Sequence, residues 1–406
     1  MTAAAASELP RDVVLLATAD WNNPFWTNKQ HVACQLADRG FRVLYIESLG
    51  IRRPSASAHD MARILRRVRS AVAMPERVRD GIHVWAPMVV PLHGITAIRT
   101  LNRRALSGML ALQLRRLGFR RPLLWTYNPL TTQLLDTSTF DGIVYHCVDD
   151  IAAQPGMPAA AIEAADRELT ERADIVFTTS PRLAETHRQW NAGTHFLPNV
   201  ADYDHFARAM APETPVPEDL ALIPAPRLGF IGAVSGYKVD FELLRHIALE
   251  RPDWSVVVIG RIGEGDPWTS AAPLHGLPNL HLLGPRSYDR LPAYLKGIDV
   301  GLLPNRTNEY TASMFPMKFF EYLAAGRPVV SVALPALEAY RDVACLADTR
   351  QEFMQGIERA LAGSCATLDA RLAVAAENTW DARTARMLEL IAAARAGAIA
   401  AARTAG

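Results

Sequence analysis

The chain reads as an α/β protein built from two parallel sheets, each wound with helices. Strand-sized apolar runs alternate with helical stretches once in each half, and a proline-rich stretch separates the two alternations. At 406 residues there is room for two cores.

In the first half Asp12–Ala17 (DVVLLA) is a buried strand, Thr27–Arg39 a helix stopped by Gly40, and Arg42–Ile46 a second strand. Leu123–Thr126, Gly142–Cys147 and Ile175–Thr179 are further short strands with helical stretches between them. Leu197–Phe206 (LPNVADYDHF) closes this domain, residues 1–206, and 207–226 read as a linker, proline-rich over Pro212–Pro226. The second domain, 227–380, opens on RLGFIGAV, a strand ending in a glycine turn, followed by a helix over Phe241–Ala248. Ser255–Gly260 and Asn279–Gly284 are two more strands ending in glycine, and LPAYLKGIDVGLLP supplies a helix and a strand. Ligands of open α/β sheets bind beyond the carboxyl ends of the strands, where Gly232, Gly260 and Gly284 fall. Small residues there let a nucleotide approach the backbone. Residues 381–406 form a last helix.

Half hydrophobic and 21% charged, the composition is that of a globular protein. Cys34, Cys147, Cys345 and Cys365 have no CxxC pairing, so neither a disulfide framework nor a zinc knuckle is expected, which fits a reducing cytosol. MTAAAASELPRD lacks a basic start and an apolar run, and no apolar stretch has the length of a membrane span. A cytoplasmic protein is expected. The net charge of +1 hides an asymmetry. Residues 51–121 hold fifteen arginines and no lysine against Asp60, Glu76 and Asp80, a formal +12 that the remainder offsets with −11. Within this segment His59–Val72 spaces Met61, Ile64, Leu65, Val68 and Val72 as a helix, with Arg63, Arg66, Arg67 and Arg69 around them. Such a helix suits an anionic membrane surface, here the inner leaflet; a solvated face is the other reading. No aromatic-interleaved motif or zinc finger accompanies the charge, so no nucleic-acid partner is expected.

The densest chemistry lies in Ser313–Val332, SMFPMKFFEYLAAGRPVVSV. Pro316 suits the first helical turn, Gly326 the left-handed position after the last, and Pro328 follows where a helix cannot continue. Lys318 and Glu321 share one face of the first turns. A lysine at a helix start suits a diphosphate, and a carboxylate one turn on suits a ribose diol. The other reading is a weak surface ion pair.

The pattern P-x-K-x-x-E-Y-x-A-x-G-x-P-V-V, filled by Pro316, Lys318, Glu321, Tyr322, Ala324, Gly326, Pro328, Val329 and Val330, resembles the C-terminal donor-site signature of GT-B glycosyltransferases. It is most similar to that of bacterial family-4-like and xanthan-type glucuronosyltransferases, which build surface polysaccharides. LPNVADYDHF resembles their interdomain turn, with Ala201 interposed before Asp202, and Asn378–Arg383 (NTWDAR) resembles the start of their last helix, which often crosses back to the first domain. The resemblance implies two Rossmann-like domains facing a central cleft. It also implies transfer of a hexose-type sugar from a nucleoside diphosphate, uridine first, to a glycan or polyprenyl-linked acceptor. No cofactor and no obligatory metal are implied.

On this reading the donor lies on Pro316, Met317, Lys318 and Glu321, on the glycine turns at Gly232 and Gly260 with Arg261, and on Pro285 and Arg286, where relatives hold the nucleobase. Lys238 is either a second phosphate contact or a solvent-facing turn lysine. Asp149 and Asp150 end a strand where the glucuronosyltransferases carry a general base, Asp149 being preferred; helix capping is the competing role. Trp21, Trp26, Asn28 and Gln30, in the loop after the first strand, are candidates for the acceptor, as is His146, which is otherwise structural. Retaining enzymes of the family carry a glutamate where this chain has Ser313, so the stereochemical outcome stays open. Asp202–Tyr203–Asp204 spells a metal motif of the other glycosyltransferase fold but falls at the hinge, and Gly260–Gly265 lacks dinucleotide spacing. The alternatives are a sugar-nucleotide epimerase of the same fold and a catalytically silent membrane scaffold.

Overall fold

The computed structural model describes residues 9–23, 26–49, 73–87, 96–264, 266 and 268–404. The chain divides into two compact units, Met1–Leu197 with Thr384–Gly406, and Pro198–Arg383.

The first unit holds an eight-stranded sheet: β1 (Asp12–Leu16), β2 (Arg42–Ile46), β3 (Glu76–Arg79), β4 (Ile82–Trp85), β5 (Leu123–Thr126), β6 (Gly142–Cys147), β7 (Ile175–Thr178) and β8 (Thr194–Phe196). Their order is β3-β4-β2-β1-β5-β6-β7-β8, parallel throughout except for β3 against β4. Helices cover both faces, so every residue of β1, β5 and β7 is buried, and these strands read as unbroken apolar runs, not alternating ones. Strand order reverses between β1 and β5, and a crevice for ligands opens at such a reversal. The hairpin β3–β4 escaped the sequence reading; its turn, Asp80-Gly81 with Gly81 at φ +77°, is a hairpin signal.

The second unit holds β9 (Arg227–Ile231), β10 (Ser255–Ile259), β11 (Leu280–Leu282), β12 (Val300–Leu303), β13 (Val329–Val332) and β14 (Cys345–Ala347), in the order β11-β10-β9-β12-β13-β14 and wholly parallel. Here the reversal falls between β9 and β12.

Residues 207–226 are not the loose linker expected from their prolines. Ala209, Leu220 and Ile223 are buried in the core of the second unit, beside Phe206. Lys296 Nζ donates to the carbonyls of Ala211 (2.6 Å) and Pro212 (3.1 Å), and Arg227 Nε donates to that of Ile223 (2.6 Å). Prolines limited the backbone hydrogen bonding of this segment without removing its apolar anchors. The last helix runs Trp380–Thr404, and from Thr384 onward it groups with the first unit, where Arg395 donates to the carbonyl and carboxylate of Asp141. The basic stretch His59–Val72 lies outside the described residues; of segment 51–121, β3, β4 and the helix Thr96–Leu117 are described.

Candidate active site

In the second unit the short helix Lys318–Ala324 follows the end of the β12 loop. It starts two residues later than its proline suggests. Met317 is the N-cap, and Pro316 lies outside the helix, its carbonyl accepting from Phe319 N–H (3.0 Å). Phe319, Phe320, Tyr322 and Leu323 are buried, and Tyr322 Oη accepts from Ile231 N–H (2.8 Å), which pins the helix to the end of β9. Gly326, at φ +73°, closes the helix as expected; a Cβ there would sit 2.9 Å from Met210 Sδ.

This anchoring presents Lys318 and Glu321. Lys318 Nζ lies 2.6 Å from Glu321 Oε2, with side chains only 16% and 3% exposed. The pair is therefore buried, not a surface ion pair. Burial pushes the Glu321 carboxyl up from the ordinary carboxylate range, Lys318 opposes the shift, and Asp202 adds to it. Asp202 caps the helix Tyr203–Ala207, accepting from His205 N–H (3.3 Å), and His205 stacks on Tyr288 at 4.2 Å.

The glycine turns lock together beside this pair. Gly232 N–H donates to Ile259 (2.9 Å) and Gly260 N–H to Gly284 (3.1 Å), and a Cβ at Gly260 would run into the carbonyl oxygen of Gly232. Ser235 Oγ donates to the carbonyl of Glu264, and Val234 N–H to that of Arg261 (3.0 Å). Lys238 Nζ lies over the rings of Tyr237 and Tyr310, 5.2 and 5.1 Å from their centroids. Burial raises the Glu264 carboxyl, and Arg261, Lys238 and Lys318 all pull it back. Three of the expected donor residues thus act on one carboxylate. Arg286 is engaged otherwise, its guanidinium held by Asp219 (2.6 Å) and Tyr294 (2.5 Å).

Glu264 Oε2, Asn305 Oδ1 and Ser313 Oγ are buried without a hydrogen-bond partner. They follow β10 and β12, at the carboxyl side of the sheet. Buried polar atoms are nearly always paired, so three orphans on the loops around Lys318 mark a place where a polar ligand completes the bonding. The sequence reading missed Glu264 and Asn305. Glu264 lies in the Gly260–Gly265 stretch set aside for its wrong dinucleotide spacing, and Asn305 had only its place after Pro304 to single it out.

In the first unit the loop after β1 is an aromatic cluster. Trp21 lies 5.9 Å from Trp26 and 5.1 Å from Tyr45, and Trp26 lies 5.4 Å from His31. Gln30 is spent on the loop itself: Oε1 accepts from Thr27 N–H (3.1 Å) and Nε2 donates to Asp20 O (3.1 Å), forming a capping box for the helix Asn28–Asp38. Its role is to hold the loop. Asn28 is buried at the start of that helix. His146 is buried within β6, 4.9 Å from Tyr127 and 6.0 Å from Phe177. Beyond β6, Thr179 Oγ1 donates to Val148 O (2.9 Å) and Asp150 Oδ1 accepts from Ala153 N–H (3.2 Å), capping a turn and not a helix. Burial pushes the Asp150 carboxyl up; Ala153 N–H and Arg182 oppose, and Asp166 and Glu163 reinforce.

Comparison with solved structures decides the architecture. Sucrose-phosphate synthase from Thermosynechococcus elongatus superposes with a TM-score of 0.68 at 16% identity, covering 95% of this chain and 99% of that one. Anabaena Alr3699/HepE in complex with UDP gives 0.62 at 13% identity over 94% and 99%. The fold is GT-B. Residues 225–363 of this GT-B chain match the family model for glycosyl transferases group 1. The putative teichuronic acid biosynthesis glycosyltransferase TuaH of Bacillus subtilis (strain 168) is 32% identical over 230 residues, 53% of this chain and 56% of TuaH. The chain thus spans little more than half the length of that curated relative.

Proposed function

We propose that this GT-B protein is a glycosyltransferase that moves a hexose-type sugar from a nucleoside diphosphate, uridine first, onto a glycan or polyprenyl-linked acceptor of surface polysaccharide. The observation that carries the reading is the buried Lys318–Glu321 pair at the helix start, with the unpartnered polar atoms of Glu264, Asn305 and Ser313 on the loops that follow β10 and β12. Glycosyl transfer leaves a diphosphate behind, and preorganised cations stabilise the charge developing there. Glu321, held by Lys318, suits the ribose hydroxyls, and the unpartnered Asn305 Oδ1 and Ser313 Oγ suit the sugar or phosphate. With that charge met by side chains, transfer is expected to need no added magnesium. Support for uridine comes from the UDP bound to the structurally similar HepE, and support for surface polysaccharide from the name of the TuaH relative. Calorimetric titration of the whole chain with UDP and GDP tests the reading. Micromolar binding of UDP, weaker for GDP, is expected, whereas a folded chain that binds neither would overturn it.

The basic segment supports a second element of the proposal, docking on an anionic lipid surface. On the helix Thr96–Leu117, Leu101 and Leu112 are 62% and 44% exposed, with Arg103, Arg104, Arg115 and Arg116 also exposed. Exposed leucines among arginines suit a headgroup region, and no described helix is long and apolar enough to cross a membrane. Cosedimentation with phosphatidylglycerol vesicles, lost in phosphatidylcholine and weakened by salt, is the expected result. Equal partition into both lipids would remove this element.

A further inference from the structure

A thiol, a carboxylate and an imidazole meet at one point inside the first unit, whereas the residues proposed for the donor belong to the second. Cys147 ends β6, Asp166 lies on the helix Ala159–Arg172, and His187 lies on the helix Pro181–Arg188. One ligand atom of each lies within 4.8 Å of the other two. Cys147 and His187 are buried, and Asp166 is largely so.

The hydrogen bonds fix the character of this cluster. His187 Nδ1 lies 2.8 Å from the carbonyl oxygen of Leu183, which only accepts, so Nδ1 carries a proton. Nε2 is left to face Cys147 and Asp166. It lies 3.0 Å from Asp166 Oδ2 without the alignment of a hydrogen bond, and it is out of water. Tyr145 Oη donates to the other carboxylate oxygen, Oδ1, and orients the group. A sulfur, a carboxylate oxygen and an imidazole nitrogen around one point call for a cation between them. We propose that these three residues bind a divalent metal ion of the zinc class.

Thiolate, imidazole and carboxylate are the ordinary zinc donors. An imidazole whose second nitrogen donates to a backbone carbonyl is the usual ligand tautomer, and a hydroxyl bonded to a ligating carboxylate is the usual outer support. Zinc bonds of about 2.0–2.3 Å require ligand separations of roughly 3.3–3.7 Å, so side-chain rotation closes the present spacing. Binding releases to solvent the Cys147 proton, as the thiolate forms, and the proton that His187 carries on Nε2 in the metal-free state. The consequence is mechanical. Cys147 stands two residues before Asp149, so a metal here would clamp the foot of the Asp149–Asp150 loop, replacing the hydrogen bond that the Cys147 thiol donates to the Asp149 carbonyl oxygen (3.7 Å).

The test is metal content and spectrum. The full chain, produced in zinc-supplemented medium and freed of loose metal by gel filtration, should carry about one zinc per chain by plasma mass spectrometry. Loaded with Co²⁺, it should show a thiolate-to-cobalt charge-transfer band in the near ultraviolet. Cys147→Ser should abolish the band, Cys34→Ser should retain it, and Tyr145→Phe should weaken metal affinity about 10–100-fold. The cobalt band of the unmodified chain stands even if a variant fails to fold. No retained zinc, no cobalt band and an imidazolium signal for His187 in nitrogen NMR would overturn the proposal and make the central cation a proton. The transferase reading would be untouched by that result.

Discussion

Lys318→Ala is expected to abolish measurable UDP binding and to lower kcat/KM by on the order of a hundredfold, about 3 kcal/mol of lost stabilisation of the leaving diphosphate. The substitution also strands Glu321, which is 2% exposed. Removing one partner of a buried pair costs about 3–5 kcal/mol when the other must stay charged. Glu321 has a way out, because burial already pushes its carboxyl up, and without Lys318 it takes up a proton. A stability loss could nonetheless pass for a binding loss, so the single variant is not sufficient. The double variant Lys318→Met/Glu321→Gln removes both charges at nearly constant volume, and thermal unfolding should return most of the way to that of the parent. Calorimetry should still find no UDP binding. A double variant that binds UDP as the parent does would place the donor elsewhere.

The candidate donor site was legible because its chemistry is local. Pro316, Lys318, Glu321 and Gly326 lie within eleven residues, and the capping logic of one helix sets their directions. Even there the start was misplaced, since proline fixes a backbone angle but tertiary packing sets the first hydrogen-bonded residue. What spacing could not disclose was convergence across loops. Glu264 feels the charges of Lys238 and Lys318 because the turns after β9 and β10 stack through Gly232 and Gly260. Arg286 and Gln30 show the reverse. Arg286 sits where the family likeness placed a nucleobase contact and Gln30 in a loop whose composition suited an acceptor, and both spend their polar atoms within the protein, on Asp219 and on Thr27 and Asp20. Residue type announces hydrogen-bonding capacity; only the fold shows whether that capacity is already used. The segment 207–226 went astray for a related reason. Its prolines dominate the composition, while three apolar residues decide where it packs.

Of the two acidic neighbours at the end of β6, Asp150 is the one whose carboxyl is pushed up, and we propose it beside Asp149 as a candidate base. Its burial, with Asp166 and Glu163 nearby, raises the carboxyl above the ordinary carboxylate pKa of about 4 and so brings its proton affinity closer to that needed to accept a hydroxyl proton. The sign follows directly. A base must be deprotonated to work, so kcat/KM should rise with pH through the raised value, with its acid limb above that of a free carboxylate. Asp150→Asn should lower kcat by roughly 10²–10⁴-fold, remove that limb, and leave UDP affinity unchanged, because the donor site proposed above belongs to the other unit. Asp150 also caps a turn through Ala153 N–H, and an asparagine oxygen preserves that bond, so stability should hold. Asp149→Asn is the comparison. A deep loss of kcat there, with Asp150→Asn nearly silent, would return the base to Asp149, and loss of UDP affinity in either variant would show that the damage is conformational.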